Sequence, residues 1–133
     1  MGDGEGVSTL RFEAVHPVLM SRALPRSIRF YPAIGFTLAG QDAPDSPKYA
    51  VLRRDVVELH LQWHDASEWN VPIDRPTYRF VVTHVDAFHA YCATQLAAQD
   101  ITAVSDTPWG TREFHLRDPD LNGLQFYRSR SSM

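Results

Sequence analysis

Two carboxylate–imidazole pairs carry the chemistry in this sequence. Glu58 and His60 stand two residues apart in Val57-Glu58-Leu59-His60-Leu61, and Glu113 and His115 stand two apart in Glu113-Phe114-His115-Leu116. Residues two apart on a strand share a face, so each pair would present an acid beside an imidazole, with apolar neighbours facing the other way. Together with His16, these five side chains are candidates to meet on one polar floor. There they would hold a divalent cation or act as an acid–base site. The structural alternative is that Glu58 and Glu113 are paired with Arg79, Arg112 or Arg117, because buried carboxylates need such partners, and that the histidines fill hydrogen bonds.

A second set of residues is aromatic. Trp109 adjoins Gly110 at an expected loop tip, and Trp69 lies in the acidic, proline-rich loop Asp65–Pro76. An exposed indole buries a large area while losing little side-chain entropy. Asp65, Glu68 and Asp74, with Glu58 and Glu113, would add a negative field for a cationic ligand. Tyr127 falls on the polar side of the last strand. Trp63 falls on the apolar side of its own strand and is expected in the core. Nucleophilic catalysis finds no support, since the serines lie in loops and tails without a His/Asp arrangement, and no Gly-rich phosphate loop occurs.

These side chains need strands to hold them. Around Glu113 and His115, Phe114 and Leu116 alternate with polar residues. Leu124 and Phe126 alternate with Gln125 and Tyr127 after a reversal at Asp118-Pro119-Asp120 and Asn122-Gly123. That is a hairpin with one apolar and one polar face. Earlier in the chain, Phe12–Met20 reads as a strand, with Val15 and Leu19 on one side and Pro17 marking an edge or bulge. Leu24–Ala33 reads as a helix with Gly35 as its stop. Phe36–Leu38 is a short strand, and Tyr49–Arg53 with Val56–Trp63 form a hairpin. After a loop over Asp65–Pro76 the same order returns: strand Thr77–Thr83, helix Val85–Gln99, strand Ile101–Val104 and the closing hairpin. A β-α-β-β-β order occurring twice is an internal duplication. The expected fold is therefore α+β, with two tandem βαβββ modules forming a curved mixed-sheet cup and the helices outside. Residues 1–10 are expected to be a disordered tail, and 11–133 a single domain (module one 11–64, linker 65–76, module two 77–128).

The chain has 133 residues, 13 basic and 16 acidic, with net charge −3. One compact domain of this length buries roughly 70% of its unfolded surface. No Lys/Arg block appears, so no nucleic-acid partner is expected. A single cysteine, Cys92, excludes an internal disulfide, fits a reducing compartment and is expected to be a small buried hydrophobe. Neither a leader pattern nor an apolar run of membrane-spanning length is present, so no membrane partner and a cytoplasmic location are expected.

Several of these pieces, in this order, resemble the vicinal oxygen chelate superfamily (glyoxalases, bleomycin resistance proteins and extradiol dioxygenases). They are His16-Pro17-Val18-Leu19, then Phe30-Tyr31, Ile34-Gly35-Phe36, Val57-Glu58-Leu59-His60-Leu61, Val85-Asp86-Ala87-Phe88-His89-Ala90, and Pro108-Trp109-Gly110 through Asp118-Pro119-Asp120. Pro-Val-Leu, Val-Glu-Leu-His-Leu and Pro-Trp-Gly-x-Arg-Glu-Phe are most similar to the bleomycin-resistance branch. The superfamily often has glycine where Val56 and Leu121 stand, so the first turn is expected to differ, while Asn122-Gly123 would rescue the second.

The resemblance implies a metal held from four strands in the superfamily's enzymes, at positions that fall here on His16, Glu58, Thr77 and Gln125. Threonine and glutamine are poor replacements for the usual His and Glu, so no cofactor is expected. What is implied instead is a metal-free homodimer, with exchange of the first strand left open, that sequesters an aromatic or cationic small molecule in a groove. Trp109, Trp69, His60, Glu58, Glu113, His115 and Tyr127 would line it. The alternative is a divalent-metal-dependent lyase, isomerase or dioxygenase with Glu58 as catalytic base.

Overall fold

The computed structural model describes residues 9–69 and 76–132. The expectations for residues 1–8 and for Pro72 and Asp74 concern residues outside these. Alternating apolar residues build two four-stranded sheets of the same order. The first comprises β1 (Val18–Ser21), β2 (Thr37–Gln41), β3 (Tyr49–Arg54) and β4 (Val57–Trp63), arranged β1-β4-β3-β2. The second comprises β5 (Thr77–Val81), β6 (Ser105–Asp106), β7 (Thr111–Arg117) and β8 (Gly123–Ser129), arranged β5-β8-β7-β6. In each sheet the first strand runs parallel to the last and the other pairings are antiparallel. The duplication expected from the sequence is thus present in topology. Helix α1 (Leu24–Ala33) lies against the first sheet and α2 (Val85–Ala93) against the second. No helix among the described residues is long and apolar enough to cross a membrane.

Leu19, Leu52, Leu59 and Leu61 of the first module and Phe114, Leu116, Leu124 and Phe126 of the second face inward and are buried. Phe36 and Phe80 meet edge-on at 6.1 Å, joining the two halves. A polar latch lies beside them. Tyr31 Oη donates to Asp118 Oδ2 at 2.6 Å, Arg26 and Ser27 bond the buried Asp120, and Asn122 Nδ2 donates to the Met20 carbonyl. Cys92 is fully buried, and burial pushes its thiol up to about 12.

Several expectations are corrected. The first strand covers only Val18–Ser21 instead of Phe12–Met20. Its ladder to β4 begins where the His60 N–H reaches the Pro17 carbonyl at 2.9 Å, and Pro17 has no N–H to continue it. Val15 therefore stands exposed instead of sharing the buried side of Leu19. The second helix stops at Ala93, short of Gln99, because the Thr94 hydroxyl takes the Tyr91 carbonyl and the Gln95 and Leu96 N–H groups fold back onto Cys92. In Ile101–Val104 only Ile101 bridges, to Leu116. Thr102 uses its side-chain oxygen to accept the His115 N–H, so the strand begins later, at Ser105. Trp63, expected in the core, ends β4 half-exposed, with its indole N–H on the Arg22 carbonyl and its ring under the Lys48 ammonium.

The two turns resolve differently. The first places positive φ on Asp55 (53°) and spares Val56, a departure the β-branched residue requires. In the second, Leu121 itself takes φ 69°. Asn122-Gly123 does not relieve it, because Gly123 already pairs with Thr77 as the first residue of β8. Gly35, at φ 99°, ends α1 as expected.

Candidate functional site

On β4 the buried Leu59 and Leu61 turn Glu58 and His60 to the opposite face. Glu58 is the centre of a cluster there. Its Oε2 lies 2.7 Å from His60 Nε2 and 3.1 Å from His16 Nδ1, and its Oε1 accepts from Arg53 Nε at 2.8 Å. The hydrogen bond from His60, followed by that from Arg53, holds the carboxyl down at about 2, against a smaller opposing effect of desolvation. The outer nitrogen of His60, Nδ1, is 2.5 Å from the Tyr49 hydroxyl.

The second cluster belongs to the other sheet. Glu113 is buried, with Oε1 2.8 Å from His115 Nε2 and Oε2 accepting from Thr111 Oγ1 (2.7 Å) and Arg79 Nη2 (3.2 Å). Burial pushes this carboxyl up, but the bonds from His115, Thr111 and Arg79 outweigh it and leave it below its ordinary value. Arg79 Nη1 also donates to Gln125 Oε1 at 2.5 Å, and its guanidinium stacks on the Tyr127 ring at 4.0 Å.

The five expected floor residues thus form two groups, His16/Glu58/His60 and Glu113/His115. No hydrogen bond or ion pair connects the groups among the described residues. Each acid has an arginine partner, Arg79 for Glu113 as anticipated and Arg53 for Glu58. Arg112 pairs instead with Asp86 and Asp106, and Arg117 reaches the Leu121 carbonyl. Sequence reasoning missed Arg53 and Tyr49. The signal for Arg53 was the hairpin register, which sets it directly opposite Glu58. A turn placed one residue off hides that pairing.

Trp109 is 68% exposed in the loop that the Gly110 carbonyl, accepting from Arg130 N–H, ties to the end of β8. Trp69 is half-buried, its N–H on the His64 carbonyl and its ring 4.3 Å from the Arg22 guanidinium. Among the loop acids, Asp65 binds Ser67 and Glu68 pairs with His64. A groove of ≈ 460 Å³ on the second sheet includes Thr77, His115 and Gln125 in its lining. The larger concavity, ≈ 700 Å³, lies away from these polar clusters, between the modules, among Ile34, Phe36, Val57, Phe80 and Phe88.

The family-type metal quartet does not fit this chain. Thr77 and Gln125 bring neutral oxygens, and the Gln125 oxygen is already taken by the Arg79 cation, whose charge opposes a metal ion beside it.

Comparison with known proteins agrees with the topology. A family model described as the Glyoxalase/Bleomycin resistance protein/Dioxygenase superfamily matches residues 14–126. Among solved structures, a bleomycin-binding protein from bleomycin-producing Streptomyces verticillus, complexed with copper(II)-bleomycin, is 26% identical with TM-score 0.71, covering 89% of this chain and 97% of that one. A bleomycin resistance determinant encoded on the transposon Tn5 is 20% identical with TM-score 0.72, covering 89% and 98%. TnmS3, an antibiotic binding protein from a Streptomyces species, is 18% identical with TM-score 0.66, covering 90% and 99%. The last two likenesses concern the fold alone. No curated protein matches the sequence.

Proposed function

This chain belongs to the glyoxalase/bleomycin resistance protein/dioxygenase superfamily, and we propose that it is a small-molecule binding protein of the bleomycin-resistance type. In this reading it sequesters an aromatic or cationic ligand in a groove formed between two copies of itself, without the four-donor metal of the family's enzymes. The observation that carries the proposal is Trp109, an indole left 68% exposed at the head of the polar row Thr111, Glu113 and His115. A ring so placed is a stacking surface, worth about 0.5–1.5 kcal/mol beyond the area it buries. Tyr127, Trp69 and the two Glu–His pairs complete the lining. The resemblance in fold to bleomycin-binding and antibiotic-binding proteins supports the same reading.

Two features favour a second copy. The polar clusters sit on separate sheets and do not meet within the chain. Leu10, Phe12 and Val15 stand exposed on the segment before Pro17, with Phe12 fully so, and an apolar arm of this kind gains most by crossing to a partner. Arg53 and Arg79 compensate Glu58 and Glu113 internally. Stacking on aromatic rings therefore contributes more to affinity than net negative charge does. The enzymatic alternative is the weaker one, because a carboxylate held at about 2 is a poor base near neutral pH.

The test is quenching of intrinsic tryptophan fluorescence by bleomycin-type glycopeptides and other planar aromatic cations. Saturable quenching that Trp109→Ala weakens supports the proposal. Absence of quenching across the panel overturns it.

A further inference from the structure

We propose that His16, Glu58 and His60 form a site for one divalent transition-metal ion on the first sheet, built from a donor set different from the family quartet. The three side chains offer one ligand atom each within 4.8 Å of one another, with Glu58 Oε2 between the His60 Nε2 and the His16 Nδ1. Two imidazoles and a carboxylate suit zinc, cobalt, nickel or ferrous iron, and do not suit magnesium or calcium.

The fold fixes all three donors. Glu58 and His60 occupy successive same-face positions of β4, and the His60 N–H on the Pro17 carbonyl holds the residue after His16 against that strand. An outer layer orients them. Arg53 keeps Glu58 Oε1, leaving Oε2 for the ion. With no ion, a neutral His60 carries its proton on Nε2, toward the carboxylate, and Nδ1 accepts from the Tyr49 hydroxyl. With an ion, the proton moves to Nδ1 and the same hydroxyl accepts it, which frees the Nε2 lone pair. The side chains of His16, Glu58 and His60 are 38%, 18% and 18% exposed, so an ion can enter and its remaining positions stay open to oxygen donors. The Glu113 cluster is no equivalent, because it holds a single imidazole, on Oε1, and its Oε2 is already shared by Thr111 and Arg79. The inference does not depend on the ligand-binding proposal, and each can fail alone.

The experiment uses the full chain without a polyhistidine tag, stripped with chelator. It is titrated near neutral pH with Co²⁺ by visible absorption and with Zn²⁺ by calorimetry. A single equivalent is expected to bind. His16→Ala, Glu58→Gln and His60→Ala should each weaken it at least about tenfold, and Tyr49→Phe by roughly tenfold. Thr77→Ala and Gln125→Ala should leave the affinity unchanged. Imidazole nitrogen NMR of the unmutated chain gives a readout independent of variant folding: Zn²⁺ should move the signals of His16 and His60 and leave those of His64, His84, His89 and His115 in place. The proposal is overturned by no saturable binding up to about millimolar ion, by dependence on Thr77 or Gln125, or by stoichiometric binding that survives the His16→Ala/His60→Ala double variant.

Discussion

The Tyr31 hydroxyl donates to Asp118 Oδ2 at 2.6 Å, tying the helix of the first module to the turn between the last two strands of the second. Both groups are buried. Asp118 also accepts from the Asp120 and Asn122 backbone N–H groups and from Asn122 Nδ2, so the turn and the module contact share one carboxylate. Tyr31→Phe should therefore lower unfolding free energy by about 1–3 kcal/mol. In urea denaturation this would appear as a lower midpoint at unchanged slope.

Acid stability should carry two opposite signatures. Glu58 has a carboxyl lowered from 4.5 to about 2. Its contribution is complete above pH 4.5 and is lost as pH falls toward 2. Asp118 is raised above 3.8, because burial outweighs its hydrogen bonds. The folded state binds that proton more readily than the unfolded one, so this contribution declines as pH rises through the folded value. Urea midpoints measured across the acid range should fall less between pH 4.5 and 2 for Glu58→Gln than for the unmutated chain, and more for Asp118→Asn.

Leu121 holds φ 69° while 54% exposed, so little packing is lost if it is replaced. Leu121→Asn places a residue that tolerates the left-handed region there, and should stabilise by roughly 1 kcal/mol. The measurement is a thermal melt against Leu121→Val, which should move the other way.

How much was legible in the sequence follows from what sets each feature. Period-two alternation in Val57–Leu61 and Phe114–Phe126 depends on burial alone, and those strands, the duplication and the Glu–His faces were readable. Where a side chain competes with the backbone, reading failed: Thr94 ended a helix early, and Thr102 took the place of a ladder carbonyl. Where pairing depends on a partner strand, it also failed. Nothing in Phe12–Pro17 says that β4 stops bonding at Pro17, and the register that brings Arg53 to Glu58 rests on one turn residue, Asp55. The convergence of five polar residues was an inference about how two modules face each other, which alternation within a strand does not contain.

The arm before Pro17 offers a test of self-association. Phe12 has no packing to lose within one chain, so Phe12→Ser should leave the melting temperature of a dilute monomer unchanged. By sedimentation velocity, the self-association proposed above should be weaker in the variant than in the unmutated chain. An equally tight dimer in the variant would remove the arm from the interface.

The central claim is that one groove takes its first-module face from one copy and its second-module face from the other. Subunit complementation tests it most directly. Trp109→Ala and His60→Ala chains are unfolded together, refolded, and titrated with a ligand that quenches the unmutated protein. With a shared groove, each variant alone is defective at both sites, while the mixture regains full affinity at about one groove in four. A mixture that binds no better than the average of its two parents would contradict the account.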